Sequence, residues 1–432
     1  MEWYIALILL TVVLLLLLGL GQWIALALGT AGVLAIIVES GFGRTATLGS
    51  IAWNSVNSFV LTAIPLFILM GEFILRSGVS TRFYRGVSVW LRALPGGLLH
   101  SNIAASSLFS AISGSSVATM AAIGTVSYPE MKERGYDRQL TISSLLGGGS
   151  VGMIIPPSIA ALVYASIVEV SVTRLFMAGM IPGLLLSVMF SAYIATRVLL
   201  NRDLVPSATE RATWGDRWRG AADALPVILL MLVVLGSIYL GLATATEAAA
   251  LGAVGAYLVG FFLGDLGWKT LRACLEGAVK ITAMLIFIIV GAQILSFAVV
   301  NAGITRNLVT FVTELGLAPF TFFLVLVLLY VALGAVVDGL SLMLLTLPVI
   351  FPVVIELGYD PIVFGIMLIV FIELGQITPP VGLCLFVMQG VAPEISMSRI
   401  TRSAVPIALI VLTMPFLLFF YPQVALWITQ FV

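Results

Sequence analysis

Gly147-Gly-Gly-Ser-Val-Gly-Met-Ile-Ile-Pro-Pro-Ser158 interrupts an apolar run that extends from about Leu140 to Val168. The run is long enough to cross a bilayer. Four glycines and a Pro-Pro pair oppose a continuous helix. An interior glycine costs about 1 kcal/mol against alanine and a proline about 3. Pro156 and Pro157 also remove two backbone donors and restrict the residue before them. Lipid cannot satisfy the freed groups, so such a break is tolerated only where it lines a cavity or faces protein. The stretch is therefore either the broken helix of an ion or substrate site or a Pro-kinked span whose glycines serve close packing.

Composition sets the class. Of 432 residues, 61% are hydrophobic and 9% charged, with a mean hydropathy of +1.18. Such a chain reads as an all-α polytopic membrane protein. Cys274 and Cys384 are far apart in or near apolar segments, which excludes a disulfide framework and a thiolate metal site. His100, the one histidine, has no ligand partners at metal spacing. No nucleotide-binding motif is present, and nothing points to nucleic acid. The N-terminal run carries Glu2 and no basic n-region, so it reads as a retained first span rather than a signal peptide.

Ten spans are expected, at about 3–20, 22–38, 56–75, 140–168, 174–200, 222–242, 246–264, 279–300, 361–390 and 403–428. Two further apolar segments have polar tips. Leu98–Tyr128 is broken at Ser113-Gly-Ser-Ser116, and Pro319–Ile355 at Asp338-Gly339. Each half is judged too short to span, so both are expected to be re-entrant helical hairpins. With that layout seventeen of the twenty Lys/Arg fall on one face, Arg211 among them, and only Arg44, Arg174 and Arg306 on the other. The rich face is then cytoplasmic and both termini periplasmic. Val79–Leu91 and Trp268–Lys280 are expected to lie along the cytoplasmic interface as short amphipathic arms.

The chain also repeats itself. An offset of 223 residues maps Pro129 on Pro352, Glu133 on Glu356, Gly135-Tyr-Asp137 on Gly358-Tyr-Asp360 and Pro156-Pro157 on Pro379-Pro380. Each copy holds five spans and one hairpin, and an odd number of spans makes the second copy upside down. The first break thus has a partner, Glu373-Leu-Gly-Gln-Ile-Thr-Pro-Pro-Val-Gly382. Two interrupted helices at equivalent places in an inverted repeat point to a transport site. The domains follow: 1–95 scaffold spans with an arm, 96–200 hairpin and broken helix, 201–221 connector, 222–318 second scaffold unit, 319–432 second hairpin and broken helix.

Oxygen atoms gather at the four interruptions. Ser113, Ser115, Ser116, Ser150 and Ser158 supply hydroxyls in the first half, and Asp338, Ser341, Gln376 and Thr378 supply oxygens in the second. Unwound carbonyls beside Gly148, Gly152, Gly375 and Gly382 add more. Hard cations such as sodium take such ligands, and half-helix N-termini suit a substrate carboxylate. Serines in membrane helices also pack or bond back to their own helix, which is the plain alternative for each one. Asp338 is harder to dismiss, because a carboxylate inside an apolar run is costly. Glu373 and Glu247 are weaker candidates, each expected near a membrane face.

These residues resemble a known family. Ser113-Gly-Ser-Ser-Val-Ala-Thr, Pro129-Glu-Met-Lys, Gly147–Ser158, Leu175-Phe-Met-Ala-Gly and Gly375-Gln-Ile-Thr-Pro-Pro-Val-Gly382 look like the large membrane subunit of tripartite ATP-independent periplasmic (TRAP) transporters. Arg174 stands where that family often has Lys, and Ala245 where it often has Pro. The resemblance implies a sodium-driven organic-acid importer of the bacterial inner membrane. It implies an elevator mechanism, a periplasmic binding protein and a separate small four-helix membrane subunit. It further implies one sodium site from Ser113, Gly114, Ser115 and Ser116 with Gly148, Gly152 and Pro156. A second comes from Asp338, Gly339 and Ser341 with Gly375, Thr378 and Pro379. Substrate contacts would come from Ser116, Ser158, Asp338, Gln376 and Thr378. Sodium is the coupling ion, and no cofactor is implied. The other readings are a stand-alone sodium/carboxylate transporter and, less well supported, a membrane enzyme or channel. No catalytic constellation is present for an enzyme.

Overall fold

Two Gly-Tyr-Asp turns punctuate the chain in the same way. Gly135 and Gly358 both adopt φ +79°, a conformation costly to any side chain. The following tyrosine N–H bonds back across the helix end, Tyr136 to the Met131 carbonyl (3.0 Å) and Tyr359 to that of Val354 (3.1 Å). Each aspartate then caps the next helix, Asp137 accepting from Leu140 N–H and Asp360 from Ile362 and Val363 N–H. Each tyrosine hydroxyl reaches the start of the preceding interrupted segment. Tyr136 accepts from Leu98 N–H (3.3 Å), and Tyr359 donates to the Pro319 carbonyl (2.6 Å).

The computed structural model describes residues 2–206 and 212–431, and among these there is no strand. Arg211 and part of the 201–221 connector lie outside the described residues. The helices are α1 (Trp3–Gly19), α2 (Ile24–Ser40), α3 (Leu48–Val56), α4 (Ala63–Arg76), α5 (Val79–Leu91), α6 (Leu98–Ser113), α7 (Ser116–Glu133), α8 (Arg138–Gly149), α9 (Ile159–Val168) and α10 (Val172–Leu200). They continue as α11 (Trp214–Tyr239), α12 (Ala245–Leu263), α13 (Trp268–Asn301), α14 (Ile304–Glu314), α15 (Pro319–Gly334), α16 (Gly339–Glu356), α17 (Pro361–Gln376), α18 (Leu383–Val391), α19 (Met397–Phe420) and α20 (Gln423–Leu426). Seven helical stretches among the described residues are long and apolar enough to cross a membrane. The chain is an all-helical polytopic membrane protein.

Three expectations change. The glycines at 147–149 are not part of the break: α8 runs through them and stops at Gly149. Tertiary packing overrides their poor propensity. A Cβ on Gly147 would stand 3.1 Å from Phe190, one on Gly148 2.8 Å from the Asn102 carbonyl, and one on Gly149 3.1 Å from Met120 Cβ. The run therefore lets α10, α6 and α7 close on α8 from three directions. The unwound stretch is Ser150–Ser158, with Pro156-Pro157 in cis, as Pro379-Pro380 is in the second break.

Trp268–Lys280 is not a separate arm. It is the start of α13, one helix of 34 residues, about 51 Å long, which nothing interrupts near Lys280. The second amphipathic piece is instead α14, which follows Gly303 as α5 follows Gly78. Finally, α16 has 18 residues and is long and apolar enough to span, so shortness does not identify the second hairpin. The tip at 335–338 lies between α15 and α16.

Small residues set the helix seams. Gly32 of α2 lies against the backbone of Leu295 in α13, and Gly252 of α12 against Met70 in α4. On the polar end, Glu394, in the loop before α19, accepts from Tyr128 hydroxyl (2.9 Å) and Lys132 Nζ (2.6 Å) of α7. Cys274 and Cys384 are buried, and His100 bonds the Pro95 carbonyl.

Gly148→Leu should lower thermal stability in detergent by about 1–3 kcal/mol, because the added side chain drives α8 off α6. Gly19→Ala, with nothing within 4 Å, should leave the melting temperature unchanged. Equal melting of both variants would show that the glycine run does not set this seam.

Candidate functional site

The two hairpin tips are built by cap chemistry. At the first, Gly114 turns the chain at φ +59°, and Ser115 caps α7 through Ala118 N–H. Ser113 Oγ and Thr119 Oγ1 bond across the turn at 2.7 Å. At the second, Asp338 caps α16, its carboxylate accepting from Ser341 N–H at 3.2 Å. Equivalent cap positions thus carry a serine in one half and an aspartate in the other.

Each tip rests on a break. A Cβ on Gly114 would stand 3.0 Å from the Pro157 carbonyl oxygen, and one on Gly152 2.6 Å from Ser116 Cα. Only bare backbone lets these segments meet. In the second half, Val381 and Gly382 N–H both donate to the Ala335 carbonyl, at 3.0 and 3.1 Å. A Cβ on Gly375 would stand 2.6 Å from Gly334 Cα. Donors freed by the unwound helix are thereby satisfied by the neighbouring tip, as apolar surroundings require.

One cavity of about 310 Å³ collects both tips. Ser113, Gly114, Ser115 and Ser116 line it, with Asp338 and Gly339, Met153 from the first break and Gln376 from the end of α17. The opposing wall comes from α4 and α13, with Gly71, Glu72, Ile281 and Met284. Glu72 is paired with Arg76. Asp338 has no cationic partner within 4 Å among the described residues. A half-buried carboxylate among hydroxyls, with no basic side chain beside it, suits a hard cation.

The other expected residues fall elsewhere. Ser341 is fully buried behind the tip, and its Oγ has no hydrogen-bond partner. Gly148 packs α8 on α6. Pro156 and Ser158 are buried, and Ser158 caps α9 through Ala161 N–H (3.2 Å). Gly375 meets Gly334, Pro379 is exposed, and Thr378 Oγ1 is bonded back to the Leu374 carbonyl (2.6 Å). Ser158 and Thr378 therefore do not line the cavity.

Glu373 corrects the sequence reading. It is 0% exposed, in a helix whose residues 362–376 are all buried. Its Oε1 accepts from Ser116 Oγ and from Met153 N–H (3.1 Å), while Oε2 has no hydrogen-bond partner. One carboxylate from the second broken helix thus holds the first hairpin tip and the first break. The signal was available: Glu373 falls midway along the 361–390 run. Glu247, by contrast, forms a capping box with Thr244 at an exposed helix start.

Residues 9–429 match the family model of the "Tripartite ATP-independent periplasmic transporter, DctM component". The chain belongs to that family. It is 36% identical to the C4-dicarboxylate TRAP transporter large permease protein DctM of Pseudomonas aeruginosa, covering 93% of each chain. It is 34% identical to the protein of that name from Vibrio cholerae, covering 94% of each. The crystal structure of the Alcanivorax borkumensis YdaH transporter shares the fold, with a TM-score of 0.62, 16% identity, and 91% of this chain and 89% of that one covered. TRAP relatives of this kind are transporter permease subunits, not enzymes.

Glu373→Ala in this TRAP permease leaves Ser116 Oγ and Met153 N–H without an acceptor. Thermal unfolding in detergent should report a loss of about 1–3 kcal/mol. Glu373→Gln keeps an acceptor and should recover most of it. Equal losses for the two variants would argue against the hydrogen-bonding role.

Proposed function

We propose that this chain is the large permease subunit of a sodium-coupled TRAP importer of an organic acid in the bacterial inner membrane. The observation that carries this reading is the shared cavity. Two helix-hairpin tips and two broken helices meet there, and Asp338, with no basic residue within 4 Å among the described residues, lines it. Interrupted helices that meet at one place are the hallmark of secondary-transporter sites.

Sodium is assigned to the two tip-on-break contacts. One site draws on Ser113–Ser116 and the backbone near Gly152. The other draws on Asp338–Ser341 and the backbone from Gly375 to Pro379. Charge supports the second more directly, since Asp338 supplies it. Glu373 bridges the two sites, so ion occupancy at one break is felt at the other. The substrate carboxylate is assigned to the N–H groups that open α7 and α16, with Ser116 and Gln376 beside them. A carboxylate cargo agrees with the relatives named for C4-dicarboxylates.

The repeat is read as inverted, which places both termini in the periplasm and the basic face in the cytoplasm. α6–α10 and α15–α20 form the moving unit of an elevator, and α1–α5 with α11–α14 form its scaffold. A periplasmic binding protein delivers the cargo, and a small membrane subunit completes the complex, in keeping with the three-part transporter that the family name describes.

Uptake in proteoliposomes tests the reading. A sodium gradient should drive uptake of an organic acid only when the binding protein is supplied. Accumulation without sodium refutes the coupling, and accumulation without the binding protein refutes the tripartite assignment. Asp338→Asn should raise the sodium concentration for half-maximal uptake at least about tenfold, the equivalent of about 1.4 kcal/mol, while the protein still melts cooperatively. An unchanged sodium dependence would remove Asp338 from the site.

A further inference from the structure

A second recess, apolar for the most part but holding two arginines, lies away from the tips, between α8, α10 and α19. It has a volume of about 260 Å³ and is lined by Gln139, Ser143, Tyr193, Arg197, Arg402 and Leu409, among others. Two arginines from different helices therefore share one groove. Five other basic residues assigned to the same face, Arg76, Arg82, Lys132, Arg134 and Arg272, each make an ion pair, and the remaining described ones make none. Among the described residues, neither Arg197 nor Arg402 has a carboxylate within 4 Å.

The recess is shaped rather than incidental. Arg197 donates to Tyr193 hydroxyl at 3.1 Å and lies 5.9 Å from the centre of that ring, which fixes its guanidinium. Ser143 Oγ donates to the Ser403 carbonyl at 2.8 Å and joins α8 to α19 at its floor. Arg197 lies in the last turn of α10, and Gln139 and Arg402 lie near the starts of α8 and α19. Toward the apolar middle of α19, Val405 is 52% and Leu409 60% exposed. From Arg402 to Leu409 the helix rises about 10 Å, roughly the step from headgroup to acyl chain.

We infer that this groove binds an anionic phospholipid. The phosphate lies between Arg197 and Arg402 and accepts from Gln139, and an acyl chain follows Val405 and Leu409. The two arginines gain the anion that no carboxylate supplies, and the apolar flank gains a chain that free phosphate cannot provide. Basic recesses between membrane helices at a positively charged face are suited to this chemistry.

The full chain in detergent micelles containing equal phosphatidylglycerol and phosphatidylcholine gives the test, with retained lipid counted by native mass spectrometry. Wild type should retain phosphatidylglycerol over phosphatidylcholine by at least about tenfold. R197Q/R402Q should lose that preference, and Arg306→Gln, assigned to the opposite face, should keep it. No preference in wild type overturns the inference, and that arm needs no variant to fold. An undiminished preference in R197Q/R402Q overturns it too. If inorganic phosphate alone raises the wild-type melting temperature as much as phosphatidylglycerol does, the groove is a soluble-anion site and the lipid assignment falls.

Discussion

A helix that stops inside an apolar protein leaves N–H and C=O groups that must be paired within a few ångströms. That constraint organises this molecule. The second broken helix solves it with one acceptor: the Ala335 carbonyl takes both Val381 and Gly382 N–H. The first solves it with Glu373, whose carboxylate reaches Met153 N–H from another helix. Both solutions need a reversing hairpin to press against unwound backbone, and this is why Gly114, Gly152, Gly334 and Gly375 stand where they do. An unpaired buried amide costs about as much as several good contacts return. The tips and breaks are consequently one unit in each half.

The halves are alike in plan and different in charge. The cap that opens α7 is Ser115, and its counterpart opening α16 is Asp338. In the broken helices, Ser150 occupies the position that corresponds to Glu373. All the acidity at these positions therefore belongs to the second half. Glu373 then spends its hydrogen bonds on the first half, so the asymmetric half anchors the neutral one.

Much of this was legible in the residues, because the signals were local. Gly-Tyr-Asp specifies a helix end followed by a cap, and both copies fold so. Pro-Pro locates each break, and Ser-Gly-Ser-Ser and Asp-Gly locate the tips. What sequence misjudged was set by tertiary neighbours. Gly147–Gly149 look like helix breakers until Phe190, Asn102 and Met120 are seen closing on them. Trp268–Lys280 has an amphipathic pattern but no stop signal, and α13 simply continues. Glu373 reads from sequence only as a carboxylate near a membrane face, and its partners, Ser116 and Met153, lie more than two hundred residues away. Ser158 and Thr378 make local bonds, one capping α9 and the other bonded back to Leu374.

The tie between α7 and the loop before α19 has its own consequence. Lys132, with help from the Glu394 backbone and Tyr128 hydroxyl, holds the Glu394 carboxyl down to about 2. The tie is thus intact above the ordinary carboxylate range and is lost only as pH falls toward that value. Acidification within any range a cell meets leaves it unchanged. Both partners are substantially open to water, at 46% and 32% exposure, where an ion pair contributes little and added salt weakens it further. The contact between α7 and the loop before α19 is thus held against mild acid, while added salt weakens it.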